Sequence, residues 1–230
     1  MKSIGNNKIM QLTLSIDALE DYLKNQILIF FPDTKGSIEL RPFIDKGLER
    51  LEYCFSKIKV KYYQNKNGAY FDHLHSDQYA KFLFFVSREA YLHSNKSVYI
   101  KCSYLNKVLN GIDLYGHIKM PNIFLLVHPL GTILGRAAYS DYMIFYQGVT
   151  VGGKHENGDI YYPRFSEKTA CFANSSIIGK VNSGGNTIFA ANSSVVGGDF
   201  KSDSLVVGHY PDNVIKNNNK TIFNNIFYLQ

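Results

Sequence analysis

The sequence predicts an α+β protein: a helical first half followed by a triangular parallel β-solenoid that throws out one loop. Three observations carry this. Up to about position 110, apolar residues recur at three- and four-residue intervals. After Gly111, short apolar pairs alternate with Gly, Ser, Asn and Thr. And ANSSIIG at 173–179 is rewritten as ANSSVVG at 191–197, 18 positions later.

The helices come first. Ile16, Leu19, Leu23 and Ile27 follow Ser15, which reads as a cap. Ile44, Leu48, Leu51, Phe55 and Ile58 share one face of a second helix. Asn65 to Gly68 reads as a turn. Ser76 or Asp77 is expected to cap a third helix carrying Tyr79, Phe82, Leu83 and Val86. A fourth is expected from about Ser97 to Leu109, ended by Gly111.

The repeat explains the second half. Eighteen residues are three sixes, and a chain that turns a corner every six closes a triangle. Coils then stack at strand spacing, about 4.8 Å. Inward positions must be small or β-branched, and corners need Gly, Asn or Ser. The same interval is read upstream in Thr132/Thr150, Ile133/Val151 and Gly135/Gly153. KHENGDIYYPRF breaks the rhythm and reads as a loop, the usual place for a working surface in repeat proteins.

Composition narrows the function. The chain has 230 residues, 45% of them hydrophobic, enough for a real core. The longest apolar runs, Ile27–Phe31 and Phe82–Val86, are core-sized and far short of the ~20 residues of a membrane span. The N-terminus lacks the apolar run of a secretory signal. Three scattered cysteines argue against a disulfide framework and a zinc site and fit a reducing cytoplasm. The net charge of +6 comes from dispersed lysines, not from a basic run interleaved with aromatics. That pattern serves a phosphate-bearing small ligand at least as well as nucleic acid, and it also suits a protein with no anionic partner. No P-loop, GxSxG or HExxH motif is present, and no metal is expected.

Among seven histidines His128 stands out, set between the apolar run Ile123–Val127 and the corner Pro129–Leu130–Gly131. This setting predicts a partly buried, rigidly held ring. It suits a structural histidine and equally a general base, since imidazole titrates near neutral pH. A base needs a group to fix its tautomer. Asp113 lies 15 residues back, nearly one coil, so the two are expected on neighbouring coils. His117 is a rival base in a more polar setting.

The stretches GIDLYGHIKMPNIFLLVHPLGTILGRA, YQGVTVGG, ANSSIIG and ANSSVVG, with a proline-bearing polar loop between the second and third, resemble the serine acetyltransferases. These are hexapeptide-repeat acyltransferases, whose fold is a left-handed parallel β-helix. The resemblance spans about Asn110 to Ile215. It implies an N-terminal α-helical domain over 1–111, then a left-handed β-helix over 112–215 with its protruding loop at about 153–168, and a tail over 216–230. It implies that His128 is the catalytic base and Asp113 its partner, in direct transfer of an acetyl group from acetyl-CoA to a hydroxyl, with no metal. It places the pantetheine arm along Gly152, Gly153, Ala173 and Ala191, positions that plain β-helix packing would also keep small. Lys154 and Lys216 are candidates for the CoA phosphates, and each also reads as a solvated surface lysine. It implies a cytoplasmic homotrimer with the cofactor between neighbouring helices, and the helical domain could pair two trimers.

The sequence departs from that family at two places. Val127 stands where serine acetyltransferases have an aspartate, and Tyr161-Tyr162-Pro163 stands where they have Arg-His-Pro. The missing groups are those suited to an amino acid's two charges. Tyr161 and Tyr162 suit a sugar ring, so a sugar or glycan-precursor hydroxyl is the first expected acceptor. L-serine is the second, with Asp72, His75 and Asp77 available to bind it; an amine is a lesser branch. A non-catalytic β-helix scaffold is the reading from another class.

Overall fold

The structure, a computed structural model, describes residues 10–33, 38–219 and 222–229. The first nine positions of the expected helical domain, and 220, 221 and 230 of the expected tail, lie outside them.

The first half contains β1 (Gln11–Leu12), α1 (Ile16–Phe30), α2 (Arg41–Ser56), β2 (Gln64–Asn65), β3 (Gly68–Phe71), α3 (Ser76–Leu92) and α4 (Lys96–Asn110). In α1 the predicted stripe Leu19, Leu23 and Ile27 is buried, and Ser15 Oγ accepts the Ala18 N–H at 3.2 Å. Of the run Ile27–Phe31 only Ile27 is fully buried; helical geometry turns Leu28, Ile29 and Phe30 to solvent. In α2, Ile44, Leu48, Leu51 and Phe55 face the core, and Ile58 is buried just past the end. At the start of α3 the expectation is corrected. His75 is the N-cap, without a side-chain bond, and Ser76 and Asp77 are the first helical residues. Asn95 caps α4, accepting the Val98 N–H at 3.1 Å. Gly111 ends it in the left-handed region, φ 65°. The sequence reading did not anticipate the small sheet in which β3 pairs β1 in parallel and β2 antiparallel.

The second half runs through β4 (Phe124–Val127), β5 (Ile133–Leu134), β6 (Met143–Tyr146), β7 (Thr150–Gly152), β8 (Lys154–Glu156), β9 (Asp159–Tyr161), β10 (Arg164–Phe165), β11 (Thr169–Cys171), β12 (Ser176–Ser183), β13 (Thr187–Phe189), β14 (Ser194–Phe200), β15 (Ser204–Val207) and β16 (Val214–Asn217), then α5 (Ile222–Ile226). Three faces form. The first stacks β4, β6, β11, β13 and β15 in parallel, and β16 closes it antiparallel. The second stacks β5, β7 and the leading parts of β12 and β14. The third stacks β10 on the trailing parts of β12 and β14. This is the α+β, β-helix class that the sequence predicts.

The repeated heptapeptides stack on each other: Ser176 pairs Ser194, Ile177 pairs Val195 and Ile178 pairs Val196. Their corners are held by Asn174 and Asn192, both near φ 60°, with an amide–amide bond of 3.2 Å between them. The upstream interval is corrected. Ile133 pairs Thr150 and Leu134 pairs Val151, so the step there is 17, not 18. Burial explains the slip, because Leu134 and Val151 fill the core while Ile133 is exposed. KHENGDIYYPRF is also more regular than predicted. β8 and β9 form an antiparallel hairpin turned by Asn157 and Gly158, both at positive φ. The chain rejoins the third face at Arg164.

Helix α3 fits the two halves together. It is buried on nearly every side and lies between α2, α4 and β4. Its Lys81 is fully buried, with Nζ 4.5 Å from the Phe55 ring and 4.4 Å from the Tyr63 ring, and it donates to the Phe124 carbonyl at 3.3 Å. Burial pulls its ammonium down to about 8, against a partial upward pull from Cys54 and Asp77. The unfolded chain therefore holds a proton that the folded chain releases between pH 8 and 10.5, so this group favours folding increasingly across that window. Lys81→Met should be more stable than the parent at pH 7 by roughly 2 to 3 kcal/mol. Urea unfolding of the pair should show the gap closing toward pH 10.5.

Candidate active site

The first-to-second corner of the β-helix is where His128 sits. Val127 pairs Tyr146 on the first face, while the Gly148 N–H bonds the Leu130 carbonyl at 2.9 Å at the corner. The upper coil takes six residues from Val127 to Ile133 where the lower takes four from Tyr146 to Thr150. The slack is taken up at His128, which adopts φ 48° and projects outward. Its backbone is held: the His128 N–H donates to Asp77 Oδ2 at 3.1 Å, and its carbonyl accepts the Leu130 N–H at 2.7 Å. Its ring is exposed, which corrects the expectation of partial burial, and makes no hydrogen bond among the described residues.

Asp113 lies just past this corner on the neighbouring coil. Its N–H donates to the Thr132 carbonyl at 2.8 Å and its carbonyl accepts the Leu134 N–H at 3.0 Å. Its carboxylate does not reach the imidazole. Lys107, in the last turn of α4, holds Oδ2 at 2.6 Å. That bond, then the carboxylate's charge, raises the Lys107 ammonium above its ordinary value. His117 is engaged elsewhere, with Nδ1 2.7 Å from the Tyr99 hydroxyl. Burial lowers its pKa, helped by Arg136 and Arg88.

Asp77 is buried in the first turn of α3. The carboxylate expected to meet an acceptor is used inside the protein, on the His128 backbone and, at 3.3 Å, by the Ser76 hydroxyl. Asp72 accepts the Leu74 N–H at 2.9 Å. His75 Nδ1 is buried with no partner among the described residues.

The small residues divide into two kinds. Ala173 and Ala191 continue the His128 corner downward: the Asn174 N–H bonds the Gln147 carbonyl and the Asn192 N–H bonds the Ala173 carbonyl, at 2.9 and 2.8 Å. Gly152 has room, since an added Cβ would meet nothing nearer than Ile178 Cδ1 at 3.4 Å. Gly153 has none: its Cβ would lie 2.7 Å from the Tyr162 ring, so hairpin packing alone requires glycine there. Lys154 faces Glu156 at 3.7 Å, and Lys216 is exposed on β16.

Tyr161 and Tyr162 lie at the other end of the second face, where the hairpin leaves the coil. Within one chain they and His128 occupy different corners. Sequence reading missed the neighbours that matter most around His128. Tyr146 and Phe172 stack at 4.8 Å and 15°, a flat wall in the column below Val127. Gln147 Oε1 is buried beside them with no partner among the described residues. The YQG of YQGVTVGG was the one signal for Tyr146 and Gln147.

Among the described residues, no group of three or more His, Cys, Asp or Glu side chains could hold a metal, and no helix is long and apolar enough to cross a membrane. The three thiols are buried and free, and burial pushes Cys102 up to about 12.

No family model matches the chain. The serine acetyltransferase of Synechococcus elongatus is 31% identical over 107 residues, 46% of this chain and 43% of that one. That of Staphylococcus epidermidis is 28% identical over 121 residues, 52% and 56% of the two chains. The chain thus spans about half the length of the curated relatives it matches. Solved structures with this fold include three serine acetyltransferases. A serine acetyltransferase in complex with cysteine superposes with a TM-score of 0.62 at 16% identity, over 97% of this chain and 82% of that one. One in complex with CoA gives 0.60 at 15%, over 91% and 80%. The Vibrio cholerae enzyme gives 0.60 at 14%, over 94% and 77%.

Proposed function

We propose, from a chain with the serine acetyltransferase fold and a sequence resembling that family, that this protein is an acetyl-CoA-dependent O-acetyltransferase. The observation that carries the reading is His128. It is an outward-projecting imidazole on a fixed backbone, free of hydrogen bonds, at the head of a corner lined below by Ala173 and Ala191.

In this reading the pantetheine arm lies along that thin-walled corner and past Gly152. His128 removes a proton from the acceptor hydroxyl as its oxygen attacks the thioester carbonyl. Backbone N–H groups stabilise the tetrahedral oxyanion. The CoA thiolate leaves and takes the proton back from the imidazolium. Asp113 supports that imidazolium once its carboxylate turns from Lys107, so Lys107 is a competitor for it. The acceptor is the hydroxyl of a sugar or glycan precursor, met by Tyr161 and Tyr162.

Because those tyrosines and His128 lie at separate corners, the site is complete only when a second copy brings its hairpin to this chain's corner. A homotrimer with the cofactor between neighbours supplies that, and it covers the exposed apolar Leu130 and Ile133 beside His128. Light scattering should report three chains per particle; a monomer at working concentration would refute the assembly.

L-serine is the second reading, favoured because the matched relatives are named serine acetyltransferases. A thiol-release assay with acetyl-CoA and a panel of nucleotide sugars, monosaccharides, amines and L-serine separates the readings. Release with a sugar hydroxyl is expected. Release with L-serine alone would select the second reading. Release no faster than that of His128→Ala with every acceptor would leave a non-catalytic scaffold.

A further inference from the structure

Beside the hairpin lies a cleft of about 690 Å³. One wall is Ile160, Tyr161, Tyr162 and Pro163; the other is the outward side of the third face. The foot of the first wall is fixed, because the Pro163 carbonyl accepts the Ala138 N–H at 2.9 Å and Ala138 bridges Arg164. On the second wall Arg164 pairs Asn182, and Asn182 pairs Asp199, one coil after another. Lys180, two residues before Asn182 on β12, points to the same side.

The charge here is one-sided. Arg136 lies over the Tyr162 ring at 5.3 Å, and Lys180 lies 5.9 Å from the Tyr161 ring. Arg136, Arg164 and Lys180 are exposed, and none is in an ion pair among the described residues. Elsewhere Arg41, Arg50, Lys107 and Lys154 each face a carboxylate. Among the described residues no acid lines the cleft. The nearest on the ladder, Asp199, accepts the Asn182 amide at 2.6 Å. Uncompensated cations gathered at two aromatic faces make a receptor for a ligand that carries both a ring and an anion. Arg164 and Lys180 sit on adjacent coils, two residues apart in register; that diagonal of about 7 to 8 Å between Cα atoms is within reach of two long side chains closing on one tetrahedral, doubly charged group.

We propose that this cleft binds a phosphate-bearing sugar or nucleotide, its phosphate on Arg164 and Lys180 and its ring against Tyr161 or Tyr162. This deepens the O-acetyltransferase reading, and rests on it only in taking the bound molecule for the acceptor. The phosphate could belong instead to CoA.

Calorimetry on the full-length protein, without acetyl-CoA, tests it. UDP-N-acetylglucosamine is compared with N-acetylglucosamine, and CoA with 3′-dephospho-CoA, at low and high salt. The nucleotide sugar should bind at least tenfold more tightly than the neutral sugar, and the advantage should shrink at high salt. Arg164→Gln and Lys180→Gln should each remove about tenfold, with unfolding midpoints unchanged because both side chains are exposed. Undiminished binding of the nucleotide sugar at saturating CoA assigns the phosphate to the acceptor. Competition by CoA, weakened tenfold without its 3′-phosphate, assigns it to the cofactor; either supports the phosphate site. Equal affinity for the neutral sugar, wild-type affinity in both variants, or no binding of any phosphate probe overturns it. Catalysis does not enter this measurement. Thiol release by the parent no faster than by His128→Ala with every acceptor would sink the enzyme reading and leave the cleft standing.

Discussion

His128→Ala should lower acceptor-dependent CoA release by about 10³-fold, within the range expected for removing a general base. The stronger form of the experiment is His128→Gly. An L-residue at φ 48° bears strain of about 1 kcal/mol, which glycine relieves. The exposed ring makes no hydrogen bond whose loss would offset that gain. His128→Gly should therefore be as inactive as His128→Ala and at least as stable as the parent in urea. This pairing of outcomes separates chemistry from packing. A packing histidine would show a fall in stability in both variants and a rate that follows the folded fraction.

α1, α2 and α4 were legible because each buries one stripe, and a stripe is a periodicity; α3 is buried on nearly every side, so its stripe shows only part of what it buries. The caps at Ser15 and Gly111 were legible because each acts on its own neighbours. At Ser76 the same reasoning failed: polar residues favoured at a cap are also favoured in the first turn, and His75 took the cap position. β1 and β2 are two residues long, too short to carry any period. The solenoid was legible where near-identical heptapeptides stack, and one residue out of register where they do not. Ile133 and Val151 match in type, but the residue that shares the core with Val151 is Leu134.

The site was legible along the chain and not across it. The interval from Asp113 to His128 follows from coil length. That Lys107 holds the Asp113 carboxylate depends on where α4 stops and how it lies on the first coil. The two extra corner residues that let His128 project show only when two coils are laid together. The basic residues read as dispersed because Arg136, Arg164 and Lys180 belong to three different coils. Stacking gathers what the sequence scatters.

Asp77 was expected to meet an acceptor, and the structure gives it a bond that makes a different and sharper prediction. Asp77→Ala should lower the rate by about 10- to 100-fold, while Asp77→Asn should lose only a few-fold. The reason lies in what each variant leaves for the His128 N–H. Alanine leaves it unpaired against a buried helix end, at about 1 to 3 kcal/mol, and frees the backbone that aims the ring. Asparagine keeps an oxygen at the same place and loses only the charge, whose attraction to the start of α3 contributes less than about 1 kcal/mol. Were the carboxylate instead the partner of an acceptor's ammonium group, the neutral amide would fail as badly as alanine, and the loss would appear in KM for the acceptor. A positioning role places it in kcat, with KM for both substrates unchanged. Hydrogen exchange at the His128 amide gives a readout independent of turnover, fast in Asp77→Ala and slow in Asp77→Asn. Equal protection in the two variants would show that the 3.1 Å bond does not hold the corner.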